Sequence, residues 1–131
     1  MRKHPLIFVV DDDPIILKLI ETELRTLKMD VMSFSFGEEF LPELFLGPDI
    51  IILDYVFYNR NAPVLNGLEI LQEIRKGNHE APVIMLSGQE SGSAVLELIK
   101  LGIEEYIIKE KNFIVNLKEA VFNALQEKNQ E

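Results

Sequence analysis

Carboxylates gather at the ends of two apolar runs of the sequence. The stretch VVDDDPIIL carries Asp11, Asp12 and Asp13, and a later run, IIILD, ends in Asp54. Two ionised carboxylates about 4 Å apart repel by about 4 kcal/mol at an effective dielectric of about 20, so an acidic cluster drawn from two strands either takes up protons or recruits a cation. Because the donors are oxygens without His or Cys, the cluster favours a hard ion and suits Mg²⁺, with Mn²⁺ as a substitute.

A serine and a lysine follow two further apolar runs, at Ser87 and Lys109. A carboxylate beside Mg²⁺ can accept a phosphoryl group, since aspartate forms acyl phosphates in other enzymes. An ammonium and a hydroxyl would neutralise oxygens of that group, and Gly88 would leave space for it. Each residue alone also has an ordinary structural explanation, and for Asp13, which precedes Pro14, helix capping is the favoured one. Together the residue types favour phosphoryl transfer to a carboxylate.

The surrounding pattern predicts the elements that must position these side chains. Short runs rich in Ile and Val predict strands buried on both faces, at residues 6–10, 31–36, 50–53, 83–86 and 106–108. Apolar residues at three-and-four spacing predict helices between them, although Pro42 must lie in a first turn or distort the helix around residues 38–45. The alternation predicts an α/β fold, a doubly wound parallel sheet with helices on both faces. Side chains that follow the strands then share one edge of the sheet, where ligands bind.

Composition narrows the class of protein. With 131 residues, 47% of them hydrophobic, the sequence predicts a single domain over residues 1–131, with a core at about 5–126 and a polar tail at 127–131. The absence of cysteine excludes disulfides and thiolate metal sites. The formal charge of −9 argues against direct nucleic-acid binding. No apolar run is long enough for a bilayer span or a secretory signal, so we expect a cytoplasmic protein without membrane contact.

The sequence resembles the receiver domain of two-component response regulators. The resemblance is carried by VVDDDP, IIILD, MLSG and YIIK, which occur in the order of that family and roughly at its spacing. It implies a flavodoxin-like sheet with strand order 2-1-3-4-5. It also implies a regulatory phosphoacceptor domain, not an enzyme, which receives its phosphoryl group from a sensor histidine kinase or a phosphotransfer protein. An effector or an output domain outside this chain would respond to the modification, and a homodimer remains open.

The resemblance assigns roles to residues at the predicted sheet edge. It implies that Asp54 is the phosphoacceptor and that Asp11 and Asp12 are the metal-site pair, with Asp12 the more direct ligand. The backbone carbonyl of Val56 would be a further metal ligand. Lys109 would be the charge partner of the phosphoryl group.

A second set of residues would transmit the signal. The resemblance implies that the hydroxyl of Ser87 moves toward the phosphoryl group and that Tyr106 reorients with it. Because a hydroxyl drawn toward the added charge vacates the volume behind it, an aromatic ring on the next strand could fill that volume. Gln89, two residues after the serine, is a weaker hypothesis for tuning the loss of the phosphoryl group.

Two departures from the family keep alternatives open. Residues 57–61 (FYNRN) form an insertion after the aspartate, which could displace the carbonyl of Val56, and Glu110 stands where the family usually has proline. A trans link before Glu110 is expected, since a non-proline cis peptide costs about 2.5–4 kcal/mol. One alternative is a pseudo-receiver, an interaction module that is not productively phosphorylated. Another is an aspartate-nucleophile phosphohydrolase of the haloacid dehalogenase type, in which Asp11 would be the nucleophile.

Overall fold

A computed structural model describes residues 3–55, 65–77, 79–88 and 92–129, with the backbone alone at 92–94 and 129. Five parallel strands form one sheet of order β2-β1-β3-β4-β5. Their bounds are β1 Leu6–Val10, β2 Asp30–Phe34, β3 Ile50–Asp54, β4 Val83–Ser87 and β5 Glu105–Ile108. The predicted fold class and strand order are confirmed, and each predicted apolar run lies mainly in one of these strands.

Helices follow the strands and cover both faces of the sheet. They are α1 Pro14–Thr26, α2 Gly37–Phe40, α3 Gly67–Lys76, α4 Gly92–Lys100 and α5 Phe113–Asn129, with a 3-10 helix at Leu41–Leu46 after α2. Pro42 lies in the first turn of the 3-10 helix, one of the two placements that the sequence allows. Helix α5 continues into residues 127–129, which the sequence assigns to a polar tail. No helix in the described ranges is both long and apolar enough to cross a membrane.

The alternation of side chains along the strands divides the core into two halves. On β1, Ile7 and Val9 pack in the half that contains α1 and α5, whereas Phe8 and Val10 pack in the half that contains α3. Every residue of β3 and β4 is buried. A sheet covered on both faces leaves polar side chains room mainly at its edges, which is why the candidate residues collect where the strands end.

Capping residues fix where the helices begin beside that edge. Asp13 Oδ1 accepts hydrogen bonds from the backbone N–H groups of Ile15 at 2.9 Å and Ile16 at 3.4 Å, with Pro14 as the first helical residue. The predicted capping role of Asp13 is confirmed. At the start of α3, Asn66 and Glu69 form a reciprocal capping box.

Candidate functional site

Three carboxylates meet at the carboxyl edge of the sheet. One oxygen each of Asp11, Asp12 and Asp54 lies within 4.8 Å of the other two, and we call these residues the acidic cluster. They meet because β1 and β3 are paired, so that the residue after Val10 lies beside the residue after Leu53. Asp11 is fully buried and Asp54 is 4% exposed. The sequence-predicted group of carboxylates is therefore assembled in space.

Lys109 lies between two members of the acidic cluster. Its Nζ is 2.9 Å from Asp11 Oδ2 and 2.9 Å from Asp54 Oδ1. Its backbone N–H donates to the carbonyl of Ser87 at 2.7 Å, which fixes the lysine against the end of β4. One ammonium thus contacts two carboxylates but offsets a single negative charge, so the cluster with its lysine carries a net charge of −2 when all three acids are ionised.

Burial and mutual repulsion shift the protonation of the site. Burial and the carboxylate of Asp11 raise the pKa of Asp54 to about 7, and Lys109 limits the rise. Burial also raises the pKa of Asp11, although the lysine and the backbone N–H of Asp13 oppose the shift. Burial disfavours the charged form of Lys109, but its bonds to Asp11 and Asp54 raise its pKa overall.

The donor set fits a small divalent cation. The cluster consists of carboxylates alone and keeps excess negative charge after Lys109 is counted. Asp11 Oδ1 accepts the N–H of Asp13 at 2.9 Å, whereas the buried Oδ2 has its ion pair but accepts no well-directed hydrogen bond from any described residue. A hard ion such as Mg²⁺ matches convergent oxygens with excess charge.

Ser87 ends the neighbouring strand and is 3% exposed. Asp54 pairs with Leu86, so Ser87 follows directly beyond the position opposite the aspartate. A Cβ placed on Gly88 would meet nothing within 4 Å, which leaves the predicted open space next to the serine.

Tyr106 occupies the same face of the sheet as Ser87. Met85 pairs with Tyr106 and Ser87 pairs with Ile108, so the alternation of side chains directs Ser87, Met85 and Tyr106 to one face. The half-buried tyrosine packs against the half of the core that contains α3 and α4. The two residues proposed to switch together therefore share one layer of the fold.

Some sequence predictions fall outside the described residues, namely Val56, Gln89 and the insertion at 57–61. The peptide bond between Lys109 and Glu110 lies within the described residues. It is trans, as are all peptide bonds in the described ranges. That expectation is confirmed.

Gly67 is a residue whose contact with the site the sequence analysis did not predict. Its N–H donates to the carbonyl of Tyr55 at 2.7 Å. A Cβ at this position would lie 2.7 Å from the carbonyl oxygen of Asp54 and from Tyr55 Cα, and 3.0 Å from Met85 Sδ. Helix α3 therefore begins directly against the backbone of the aspartate, a contact between distant segments that no local pattern of the sequence indicates.

Comparisons with known proteins agree with this geometry. The family model described as the response regulator receiver domain matches residues 7–121. The chain is 34% identical over 111 residues to a probable transcriptional regulator ycf27 of Porphyridium aerugineum, which covers 83% of this chain and 43% of that protein. The chain spans less than half the length of the curated relatives that it matches first.

Solved structures share the fold. The BeF3-activated receiver domain of DrrB, a protein of Thermotoga maritima, superposes with a TM-score of 0.80 at 30% identity, covering 94% of this chain and 98% of that one. A response regulator receiver domain protein from Clostridium thermocellum gives a TM-score of 0.83 at 29% identity, covering 96% and 98%.

Replacing Asp54 by Asn is expected to stabilise the metal-free protein at pH 8. The carboxyl has a pKa of about 7 in the folded state against 3.8 as its ordinary value, so the folded state binds the proton more tightly and the contribution of this group to stability rises as the pH falls from about 7 to about 4. The variant lacks this dependence. We expect an advantage of roughly 2–4 kcal/mol at pH 8 that shrinks toward pH 4, measured by thermal denaturation in a chelator.

Asp13→Asn is the matched control, because it removes an exposed carboxylate from the same run and leaves a residue that caps a helix equally well. Its stability should follow the wild-type pH profile. An Asp54→Asn profile parallel to that of wild type would contradict the raised pKa.

Gly67→Ala is expected to destabilise the protein by about 1–3 kcal/mol, because its Cβ would meet backbone atoms that cannot rotate away. Gly88→Ala places the same methyl group in open space, and we expect a change within about 0.5 kcal/mol. Denaturant unfolding of both variants tests the contrast, and equal stabilities would show that α3 does not press on the aspartate backbone.

Proposed function

The chain belongs to the response regulator receiver domain family, and from this premise we propose that it accepts a phosphoryl group on Asp54 from a histidine kinase or a phosphotransfer protein. The observation that carries the proposal is the setting of this carboxylate. Asp54 is buried at the end of β3, 2.9 Å from an ammonium and beside two further carboxylates. Its role is regulatory, and we place the domain in the cytoplasm with the kinase.

In the proposed step a carboxylate oxygen of Asp54 attacks the phosphorus of a phosphohistidine. The new O–P bond forms as the P–N bond breaks, and the bonding electron pair leaves with the imidazole nitrogen. The product is an aspartyl phosphate. Only the ionised carboxylate is a nucleophile, and with a pKa of about 7 a large part of Asp54 is protonated near neutral pH. The ammonium of Lys109 lowers this pKa, and a bound cation would lower it further, so both favour the reactive form.

Asp11, Asp12 and Asp54 would hold Mg²⁺ or Mn²⁺, and the carbonyl of Val56 is proposed as a further ligand. When bound, the cation supplies positive charge that neutralises phosphoryl oxygens. Asp11 accepts the N–H of Asp13, which holds its carboxylate in a fixed orientation at the end of β1. The acidic residues are thereby arranged before a ligand arrives.

Lys109 would transfer its contact from Asp54 to the phosphoryl group while it keeps its ion pair with Asp11. The hydroxyl of Ser87 would donate to a second oxygen, with space provided at Gly88. Movement of that hydroxyl would let Tyr106 turn inward on the same face of the sheet. Gln89 is proposed to influence the attacking water during loss of the phosphoryl group.

The partner that reads the signal belongs to the same proposal. Two of the relatives are named as probable transcriptional regulators, and the chain spans less than half of their length. With a formal charge of −9, this domain is poorly suited to contact DNA itself. We therefore propose that an effector protein or an output domain responds to the switched surface.

The central prediction is a gain of one phosphoryl group at Asp54. Intact-mass measurement after incubation with Mg²⁺ and acetyl phosphate or phosphoramidate should show the gain in wild type and none in Asp54→Asn. Asp13→Asn, which changes the neighbouring exposed carboxylate, should gain the group as wild type does.

The two alternative hypotheses, the pseudo-receiver and the phosphohydrolase, predict different masses. No gain in wild type at any Mg²⁺ concentration would favour the pseudo-receiver. A gain that survives Asp54→Asn and disappears in Asp11→Asn would move the nucleophile to Asp11, as the phosphohydrolase requires.

The switch is tested separately from the modification. Ser87→Ala is expected to keep phosphorylation of Asp54 but to confine the resulting amide chemical-shift changes to the site, whereas in wild type they should extend along β5 to Tyr106. Ser33→Ala is the matched control, since β2 lies at the opposite side of the sheet from β5 and the Ser33 hydroxyl donates to Glu21 of α1. Shift changes in β5 that are the same in Ser87→Ala and wild type would show that this hydroxyl does not transmit the signal.

A further inference from the structure

Arg75, in the last turn of α3, binds the backbone of two loops at the edge of the sheet opposite the acidic cluster. Its Nη1 donates to the carbonyls of His79 at 2.9 Å and Ala81 at 3.1 Å, in the connection from α3 to β4. Its Nε and Nη2 donate to the carbonyls of Leu101 and Gly102, each at 3.1 Å, after the end of α4. One planar guanidinium thus ties the end of α3 to the end of α4.

The two carbonyls at the end of α4 are ones that the helix cannot satisfy. The N–H of Gly102 donates to the carbonyl of Ile99, and the N–H of Ile103 donates to that of Leu98, a Schellman arrangement with Gly102 in the left-handed region at φ +80. These bonds close the helix but leave the carbonyls of Leu101 and Gly102 beyond it. Positive charge here also complements the negative end of the helix dipole.

The described side chains of helix α4 bury little apolar surface against the fold. Among its described side chains, at residues 95–100, only Leu98 is fully buried, while Leu96 is 60% and Ile99 is 58% exposed. Helix α3, by contrast, buries Ile70, Leu71 and Ile74. A helix with little buried apolar surface depends more on the polar contacts at its ends.

We propose that Arg75 is the anchor of the carboxyl-terminal end of α4, so that α4 moves by tilting about Leu101 and Gly102. The amino-terminal end of α4 follows β4 and Ser87 along the chain, whereas the anchor lies at the opposite edge of the sheet. A displacement that begins near Ser87 would then swing the exposed side chains of Leu96 and Ile99 and leave the start of β5 in place. Only this driving step depends on the proposed function, because the anchor exists without a phosphoryl group.

Native-state hydrogen exchange of the unphosphorylated protein tests the anchor. In wild type, the amides of Leu101 and Ile103 should exchange more slowly than that of Leu96 nearer the other end. In Arg75→Ala, exchange at Leu101 and Ile103 should accelerate at least about tenfold more than at Ile52 in β3, which reports global unfolding. Lys76→Ala is the matched control, since it removes the adjacent, exposed cation of the same helical turn.

Arg75→Lys covers the case in which the alanine variant does not fold. A lysine keeps the charge but cannot reach four carbonyls with one planar fork, so exchange at the end of α4 should still accelerate. Acceleration that is equal at Leu101, Ile103 and Ile52 would overturn the proposal, as would wild-type exchange in Arg75→Lys. The phosphoryl-transfer measurement is independent of all of these outcomes, so the two proposals fail separately.

Discussion

The repulsion between carboxylates at one edge of the sheet is the constraint on which the site depends. Asp11 and Asp54 are buried side by side, and Lys109 is the cation placed to contact both of them, at 2.9 Å each. Burial first, and repulsion by Asp11 second, raise the pKa of Asp54 to about 7, so the fully ionised cluster is unfavourable without a ligand. The unfavourable charge is tolerated because β1 beyond Leu6 and all of β3 are buried, so the backbone cannot move the acids apart. The same repulsion makes the cluster sensitive to ligands, since any added cation or anionic group changes the electrostatic energy of the three carboxylates.

The topology determines which residues meet at that edge. Asp54 stands far from Asp11 in the sequence, yet the pairing of β1 with β3 brings them together, and the pairing of β4 with β5 brings Lys109 to the end of β4. Helix α3 then closes the other side, where Gly67 allows its first turn to lie against the backbone of Asp54. The site is thus built from strand ends and a helix start, with geometry set by backbone packing, not by long side chains.

Local sequence patterns were sufficient to predict much of this arrangement. The apolar runs predicted the strands, and the Asp-Pro pair predicted the cap of α1, because both signals are carried by residues adjacent in the chain. The acidic cluster was predictable once a parallel sheet was assumed, since strand ends share an edge. The roles of Gly67 and Arg75 were not predictable from the sequence, because each role depends on contacts with residues of other elements. A glycine or an arginine in a helical segment gives no local sign of a backbone atom 2.7 Å from a missing Cβ, or of four carbonyls around a guanidinium.

The carboxyl and amino edges of the sheet therefore differ in how firmly their groups are held in place. At the carboxyl edge, three carboxylates repel one another and Lys109 offsets part of their charge, so one bound ligand can change the net charge of the group. At the amino edge, Arg75 donates to four carbonyls from two loops, and these four hydrogen bonds oppose displacement of the loops. Helix α4 connects the edges, and of its described side chains, at residues 95–100, only Leu98 is fully buried. On the proposed mechanism, a chemical change at the carboxyl edge would move the near end of α4, because Arg75 binds the loop at its far end.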